Sequence, residues 1–227
     1  MHPTEHALIV AGGKGTRIPG KTSKQFLELN GLPVLMHTIN AFNRYSSSLS
    51  IVLVLPEEDF TLWRSLCKQH NFNRPITLQA GGMTRFQSVK RGLNAIAEDG
   101  LVAIHDGVRP LVTQDMITAS FKVAKQFGSA VASVSLKESI REVSPAGTSA
   151  LDRSRYKLIQ TPQTFRVELI KRAYEFPEDQ SLTDDASIAE RAGQNIFLFD
   201  GDYQNIKITT PEDLVLAEAL LNAGYKA

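Results

Sequence analysis

Short apolar runs alternate with amphipathic helical patterns along most of this chain, and this alternation restricts its fold more than any other feature. A short apolar run is typical of a strand buried on both faces of a sheet, whereas an apolar period of about 3.6 residues is typical of a helix. The alternation therefore favours one α/β domain with a mostly parallel central sheet. The predicted strands are His6–Ala11, Ser50–Leu55, Ile76–Ala80, Leu101–Ile104, Ala130–Ser135 and Asn195–Phe199.

Helical patterns occupy the segments between these runs. The last of them begins with Pro211, which suits the first turn of a helix, and Gly224 follows it as a C-cap. Because ligands of such folds bind beyond the carboxyl ends of the strands, the loops at those ends are the first candidates for a site. The predicted helices are Pro33–Tyr45, Glu57–Gln69, Thr84–Ala97, Gln114–Phe127 and Pro211–Ala223.

Residues 136–155 interrupt the alternation, since they are polar and contain a turn at Pro145–Gly147. Extended-looking segments flank the turn, so this stretch predicts a projecting hairpin, or β-arm. No repeat or change of composition marks a second domain, and we expect one domain over residues 1–227.

Composition excludes several classes of protein. With 42% hydrophobic residues in 227, the chain can bury a core without disulfides, and the lone Cys67 can form neither an internal disulfide nor a cysteine-based zinc site. No apolar run approaches the roughly 20 residues that span a bilayer, and no basic segment precedes the short N-terminal apolar run. We therefore expect a cytoplasmic protein that does not associate with a membrane.

The net charge of +1 hides an uneven distribution. Residues 1–97 carry 11 basic and 5 acidic groups, whereas residues 98–227 carry 14 and 19. This pattern argues against a uniformly basic nucleic-acid binder and is compatible with a cleft for an anionic ligand, although the counts alone favour chance variation.

A glycine-rich, cationic loop follows the first predicted strand. Glycines let backbone N–H groups approach an oxyanion closely, and lysine and arginine donate charge-assisted hydrogen bonds to phosphates. The composition of this loop therefore favours a phosphate-binding role over that of an ordinary solvated surface loop. Its residues are Ala11, Gly12, Gly13, Lys14, Gly15, Arg17, Lys21 and Lys24.

Two standard phosphate motifs fit this loop poorly. Ile18 stands where the dinucleotide fingerprint G-x-G-x-x-G needs its third glycine. A P-loop pattern is present over Gly15–Thr22, but it begins four positions after the strand end at Ala11, and Asn30, Gly31 and Pro33 interrupt any following helix. A P-loop ATPase or nucleotide switch is therefore the less favoured alternative.

A second group of candidate residues follows the strand that ends at Ile104. Asp106 lies at the predicted strand end, where a carboxylate can bind Mg²⁺ while substrate phosphates complete the coordination shell. Arg109 follows three residues later, and His105 is expected to be structural because no His or Cys lies at zinc spacing.

Two further segments suit nucleotide and phosphate binding. Gly81 and Gly82 form a turn that can contact the edge of a base, and Arg85 and Ser88 follow on the next helix. Lys207 lies in an apolar segment, predicted as a strand, where it can either extend to solvent or contact a phosphate. Many cations, one metal carboxylate and no nucleophile together favour phosphoryl or nucleotidyl transfer.

Five motifs, in their order and spacing, resemble the 2-C-methyl-D-erythritol 4-phosphate cytidylyltransferase family over nearly the whole chain. The resemblance implies a Rossmann-like nucleotidyltransferase fold, and it implies transfer of CMP from CTP to methylerythritol phosphate in non-mevalonate isoprenoid biosynthesis. The motifs are A-x-G-x-G-x-R with K-Q (Ala11–Arg17, Lys24–Gln25), H-D-x-x-R-P (His105–Pro110), T-P-Q-x-F (Thr161–Phe165), T-D-D-A-S (Thr183–Ser187) and N-I-K-I-T-x-P-E-D-L (Asn205–Leu214).

The resemblance also implies roles for individual residues. Arg17 and Lys24 would stabilise charge on the α-phosphate, and Asp106 would bind Mg²⁺ or another divalent cation. Arg153 and Lys207 would hold the acceptor phosphate, with Arg109 and Ser139 nearby. Arg153 lies in the β-arm, which in this family completes the acceptor site of a second subunit, so a homodimer is implied. The nucleotide-binding set comprises Ala11, Gly12, Gly13, Lys14, Gly15, Gly81, Gly82, Arg85, Ser88 and Asp106.

Other functions remain open from the sequence. Ribitol-5-phosphate cytidylyltransferase shares most of the motifs, although Asp152-Arg153 and the T-D-D-A-S run favour the erythritol enzyme. A nucleotide-binding protein without activity is disfavoured, because binding alone gives no reason to keep every one of the predicted catalytic and acceptor-binding residues.

Overall fold

A seven-stranded sheet forms the centre of the computed structural model, which describes residues 4–12, 23–97 and 99–225. Its strand order is β11-β7-β10-β6-β1-β4-β5, so the first strand in the chain lies inside the sheet. The strands are β1 (Glu5–Val10), β2 (Glu28–Leu29), β3 (Leu32–Pro33), β4 (Ser50–Leu55), β5 (Thr77–Ala80), β6 (Leu101–Asp106), β7 (Ser129–Ser135), β8 (Ile140–Ser144), β9 (Gly147–Leu151), β10 (Lys157–Arg166) and β11 (Leu198–Asp200).

Helices cover both faces of this sheet and account for the continuous apolar runs in the strands. In β1, Ala7 and Ile9 pack with α1, α2 and α4, whereas Leu8 and Val10 pack with α3, α5 and α6. Successive strand residues point to opposite faces, so a strand covered on both sides is apolar at most of its positions. The helices are α1 (Val34–Tyr45), α2 (Phe60–Gln69), α3 (Arg85–Asn94), α4 (Gln114–Phe127), α5 (Val167–Ala173), α6 (Asp185–Arg191) and α7 (Pro211–Asn222).

The strand directions confirm the predicted α/β fold with a mostly parallel sheet. The strand β1 is parallel to β4 and β6, β5 is parallel to β4, and β11 is parallel to β7. The strand β10 is antiparallel to both of its neighbours, β6 and β7. The carboxyl ends of the parallel strands therefore meet at one edge of the sheet, where the predicted site residues follow them.

Several element predictions need correction. The strand β10 was not predicted, because Thr161, Pro162 and Gln163 are untypical of a central strand; its register shifts between Ile159 and Gln163, where proline is tolerated. The helices α5 and α6 are short and were not predicted, and the strand predicted at 195–199 is β11 at 198–200. The strand predicted around Lys207 is absent, because residues 205–209 lie in a loop that pairs with no strand of the described chain.

The predicted hairpin is present as β8 and β9. These strands pair antiparallel with each other from Ile140–Leu151 to Ser144–Gly147, and nearly all of their residues are exposed. Within the described part of the chain, they form a two-stranded sheet separate from the central one.

Within residues 4–12, 23–97 and 99–225, no helix has the length and apolarity needed to cross a membrane.

Candidate active site

Two glycine segments meet at Ser88, at the carboxyl edge of the sheet. The Ser88 hydroxyl accepts a hydrogen bond from the Gly82 amide at 3.0 Å. A Cβ added at Gly12 would lie 3.1 Å from Ser88 Oγ, and one added at Gly81 would lie 3.0 Å from it. The structure thus brings together four predicted nucleotide-binding residues, and a side chain at Gly12 or Gly81 would be in tight contact with the Ser88 hydroxyl.

The turn at Gly82 is shaped by its own short-range contacts. Thr84 caps α3 by accepting a hydrogen bond from the Gln87 amide at 3.1 Å, and the Gln87 side chain accepts one from the Met83 amide at 3.0 Å. A Cβ on Gly82 would lie 2.3 Å from Gln87 Cβ, so the turn requires glycine there. The predicted Ala11 is held at the same edge, since its amide donates to the Val54 carbonyl at 2.9 Å.

Asp106 is the centre of a cluster of cations at the end of β6. Its Oδ2 lies 3.1 Å from Lys207 Nζ and 3.3 Å from Arg109 Nε, and its Oδ1 lies 3.9 Å from Arg85 Nε. Burial by itself raises the pKa of Asp106, but Lys207, Arg85 and Arg109 outweigh it and hold the pKa well below its ordinary range. The carboxylate is therefore ionised throughout the physiological pH range.

His105 supports the turn that follows Asp106. Its ring is fully buried against Phe42, and burial lowers its pKa to about 4. The ring is therefore neutral at pH 7, and its Nε2 lies 3.2 Å from the Arg109 carbonyl, to which a neutral Nε2–H donates. The predicted structural role of His105 agrees with this contact.

The loop that carries Lys207 is attached to the sheet at several points. The Asn205 side chain donates to the Thr161 carbonyl at 2.8 Å, and the Asn205 carbonyl accepts from Arg109 Nη1 at 2.8 Å. Further along, the Ile208 amide donates to the Val108 carbonyl at 2.9 Å. The contacts of its loop, rather than pairing with a neighbouring strand, therefore hold Lys207 beside Asp106.

Lys24 contacts the same loop. It lies in a short 3₁₀ helix, Lys24–Phe26, and its Nζ donates to the Thr209 carbonyl at 3.2 Å. The predicted catalytic lysine and the predicted phosphate lysine, Lys207, therefore lie on segments in direct contact.

Arg85 is engaged by a residue that sequence reasoning gave no role. Its two terminal nitrogens lie 2.8 and 2.7 Å from the two carboxylate oxygens of Asp185, which is fully buried. The Tyr174 hydroxyl donates to the same carboxylate at 2.5 Å.

The remaining predicted residues lie elsewhere. Ser139 and Arg153 are exposed at the β-arm, where Arg153 donates to the Lys137 carbonyl. No hydrogen bond or ion pair between described residues joins either of them to Asp106. Five further predicted residues lie outside the described part of the chain: Gly13, Lys14, Gly15, Arg17 and Lys21.

Asp106 is the carboxylate that the three cations of this cluster share. Within the described ranges, no three His, Cys, Asp or Glu side chains are grouped so that they could hold a metal ion. One ionised carboxylate suits Mg²⁺, which keeps several waters and takes its other ligands from substrate phosphates. The surrounding cations favour a metal that arrives together with a polyphosphate.

The whole chain is similar to known proteins. The model of the family described as 2-C-methyl-D-erythritol 4-phosphate cytidylyltransferase matches residues 5–223. The chain belongs to this family. A protein of that name from Bacteroides thetaiotaomicron is 46% identical over 217 residues, covering 96% of this chain and 99% of the relative. Another, from Porphyromonas gingivalis strain W83, is 46% identical over 224 residues, covering 98% and 100%.

Solved structures of family members share the fold. The 4-diphosphocytidyl-2C-methyl-D-erythritol synthase from Anaerococcus prevotii superposes with a TM-score of 0.85 at 26% identity, covering 97% of this chain and 99% of that one. The 2-C-methyl-D-erythritol 4-phosphate cytidylyltransferase from Thermus thermophilus gives a TM-score of 0.76 at 28% identity, covering 98% and 100%. The fold of this chain is thus that of the family's nucleotidyltransferases.

Two family motifs, to whose residues the sequence analysis assigned no role, support the site through contacts at the start of α6. Gln163 of T-P-Q-x-F donates to the Asp184 carboxylate at 3.0 Å and accepts from the Ala186 amide at 2.8 Å. These bonds hold the start of α6, where Asp185 of T-D-D-A-S engages Arg85. The sequence does show two adjacent acids, Asp184 and Asp185, which could have indicated a role for this segment. Nothing in the sequence, however, indicates that Asp185 pairs with Arg85.

Proposed function

We propose that this chain transfers CMP from CTP to 2-C-methyl-D-erythritol 4-phosphate. The products are 4-diphosphocytidyl-2-C-methyl-D-erythritol and pyrophosphate, and the reaction belongs to non-mevalonate isoprenoid biosynthesis. An oxygen of the acceptor phosphate forms a bond to the α-phosphorus of CTP, and the bond from that phosphorus to the bridging oxygen breaks as pyrophosphate leaves. The acceptor phosphate supplies the nucleophile, so the protein needs no nucleophilic side chain.

The observation that carries this proposal is the ionised Asp106 among Lys207, Arg109 and Arg85, next to the glycine segments at Ser88. Because Gly12, Gly81 and Gly82 carry no side chains, a base could approach the backbone beside Ser88, and the cations would then face its phosphates. Catalysis by positioning and charge stabilisation is the requirement of nucleotidyl transfer. In this arrangement Lys24, together with Arg17, stabilises the charge that develops on the α-phosphate.

A divalent cation, with Mg²⁺ as the expected one, completes the site. Asp106 would hold it, and the bound cation would neutralise phosphate charge during transfer. The donor set fits, because the carboxylate is ionised and Mg²⁺ bound with a nucleotide takes its remaining ligands from waters and phosphates.

The acceptor phosphate is assigned to Lys207 and Arg109 from one subunit and to Arg153, with Ser139 nearby, from the β-arm of a second subunit. The exposed hairpin and the lack of contact between Arg153 and Asp106 within the described chain support an arm that acts in a homodimer. The cytoplasmic location expected from the sequence stays a prediction.

The P-loop alternative loses support from the segment after Ser23. A P-loop opens a long helix, whereas here Ser23 is extended and the Lys24–Phe26 turn leads into β2 at Glu28.

An acceptor assay tests the proposed function. The purified protein is incubated with CTP, Mg²⁺ and either 2-C-methyl-D-erythritol 4-phosphate or ribitol 5-phosphate, and pyrophosphate release is measured. We expect release with the erythritol phosphate and none above background with the ribitol phosphate. The opposite preference would overturn the assignment in favour of a ribitol-5-phosphate cytidylyltransferase, and release without acceptor would indicate a nucleotide hydrolase.

A further inference from the structure

The two carboxylate oxygens of Asp106 have different surroundings. Oδ2 lies 3.1 Å from Lys207 Nζ and 3.3 Å from Arg109 Nε. Within the described chain, the ion-pair partner of Oδ1 is Arg85 Nε at 3.9 Å, which is too long for a hydrogen bond. Among the described residues, Oδ1 is therefore the oxygen with capacity left for another ligand.

Arg85 is kept at this distance although it carries a full charge. Its Nη1 and Nη2 form two parallel hydrogen bonds with the Asp185 carboxylate, at 2.8 and 2.7 Å. Such a two-point pair fixes the plane and the position of a guanidinium group. The pair turns the terminal nitrogens of Arg85 towards Asp185 and leaves Nε facing Asp106.

Asp185 is itself held rigidly. It is fully buried at the first position of α6, and the Tyr174 hydroxyl donates to its Oδ1 at 2.5 Å. On either side, Gln163 contacts the Asp184 carboxylate and the Ala186 amide. The support comes from β10 and from Tyr174 at the end of α5, so Asp185 cannot follow Arg85 if Arg85 moves.

We propose that Asp185 is a positioning residue that holds Arg85 back from Asp106 Oδ1 and so keeps that oxygen available for the divalent cation that enters with CTP. This inference rests on the proposed function. Without the charge of Asp185, Arg85 would be an unpaired cation beside a partly buried carboxylate, and attraction would close it onto Oδ1. A cation would then have to displace an arginine before it could bind.

The test compares CTP affinity in EDTA with CTP affinity in saturating Mg²⁺, measured by calorimetry on the full chain. The ratio of the two affinities reports how strongly Mg²⁺ assists CTP binding. A substitution that weakens CTP binding equally in both conditions leaves this ratio unchanged. In Asp185→Asn, which keeps the shape but removes the charge, we expect the ratio to fall about fivefold, the scale of one newly formed ion pair.

The decisive variant is the double replacement Arg85→Gln with Asp185→Asn. No cation then remains to close onto Oδ1, so we expect the ratio to return to within about twofold of the unmodified protein. A merely structural role for Asp185 predicts no such recovery. Tyr174→Phe is the matched control, because it removes one hydrogen bond from Asp185 without releasing Arg85 and should leave the ratio unchanged.

Each outcome decides the proposal. An unchanged ratio in Asp185→Asn, or a double variant as impaired as the single one, would overturn it. If thermal unfolding shows that Asp185→Asn does not fold, the double variant and Arg85→Gln alone still test the proposal. A reduced ratio in either of them would overturn it, because Arg85 would then assist the binding of the cation. If the unmodified protein binds no CTP, or binds it equally with and without Mg²⁺, the proposed site itself has failed.

Discussion

The Nζ of Lys207 lies 3.1 Å from Oδ2 of Asp106, although the two residues are far apart in the chain. The side chain of Lys207 is 43% exposed and that of Asp106 is 11% exposed, so the ammonium group also faces the open side of the cluster. The lysine assigned to the acceptor phosphate is therefore positioned by the carboxylate assigned to the metal.

This pairing predicts a selective defect in Lys207→Met. We expect the kcat/KM for methylerythritol phosphate to fall about 100-fold, mainly through KM, because a charge-assisted hydrogen bond to the acceptor is removed. The KM for CTP should change little. Steady-state kinetics with each substrate varied in turn measures both values, and an unchanged acceptor KM would contradict the assignment.

Lys24 and Lys21 distinguish the proposed mechanism from a P-loop. We expect Lys24→Ala to lower kcat about 100-fold or more, the usual cost of removing a donor that stabilises transition-state charge, and Lys21→Ala to lower it less than about tenfold. Lys21 serves as the matched control, since it lies in the same cationic segment. A P-loop enzyme would show the reverse order.

The shared site predicts complementation between two inactive proteins. Lys24→Ala and Arg153→Ala should each be nearly inactive alone. Random mixing makes about half of the dimers heterodimers. If Arg153 acts in its partner's site, each heterodimer has one site in which both Lys24 and Arg153 are intact and one in which both are replaced. Activity should therefore recover to about a quarter of the unmodified level. The measurement mixes the two after mild denaturation and refolding. Mixed activity equal to the sum of the separate proteins would show that Arg153 acts within its own subunit or not at all.

Gly82 predicts a steric effect on nucleotide binding. In Gly82→Ala the new methyl group would overlap Gln87, and the turn before Ser88 must shift. We expect CTP affinity to fall about tenfold, in line with the cost of overpacking. The control is Gly193→Ala, where φ is +81° and no described atom lies within 4 Å of the added Cβ. It should lower stability by about 1 kcal/mol and leave CTP affinity unchanged.

His105 predicts a specific pH dependence of stability. Its folded-state pKa of about 4 lies below the value of 6.5 in an unfolded chain, so the unfolded state takes up the proton first as the pH falls. The contribution of His105 to the free energy of unfolding should therefore drop by about 2 kcal/mol between pH 7 and pH 5.

Urea unfolding at both pH values checks this expectation. His105→Gln should be less stable than the unmodified protein at pH 7, because it disturbs the hydrogen bond to Arg109, but it should lose about 2 kcal/mol less on acidification. Equal losses in the two proteins would mean that His105 does not titrate on unfolding.

Strand prediction succeeded where burial alone dictates residue type. The strands β1, β4 and β6 are covered on both faces, so their apolar runs revealed them. The strand β10 is equally central, but its middle is polar because Gln160 and Gln163 bond to neighbouring loops and to α6. Buried polar side chains with partners distant in sequence look the same as loop residues until the partners are known.

For the site, the sequence alone determined which residue types were present: glycines after two strands, an acid after a third, and cations in loops. Family motifs then supplied expected roles. The tertiary structure decided which of these residues touch, because contacts such as Lys207–Asp106 and Arg85–Asp185 depend on strand order and on the path of loops between distant segments. A local pattern records burial and turn geometry, whereas an ion pair between residues so distant in the chain exists only once the sheet has brought the carboxyl ends of its strands together.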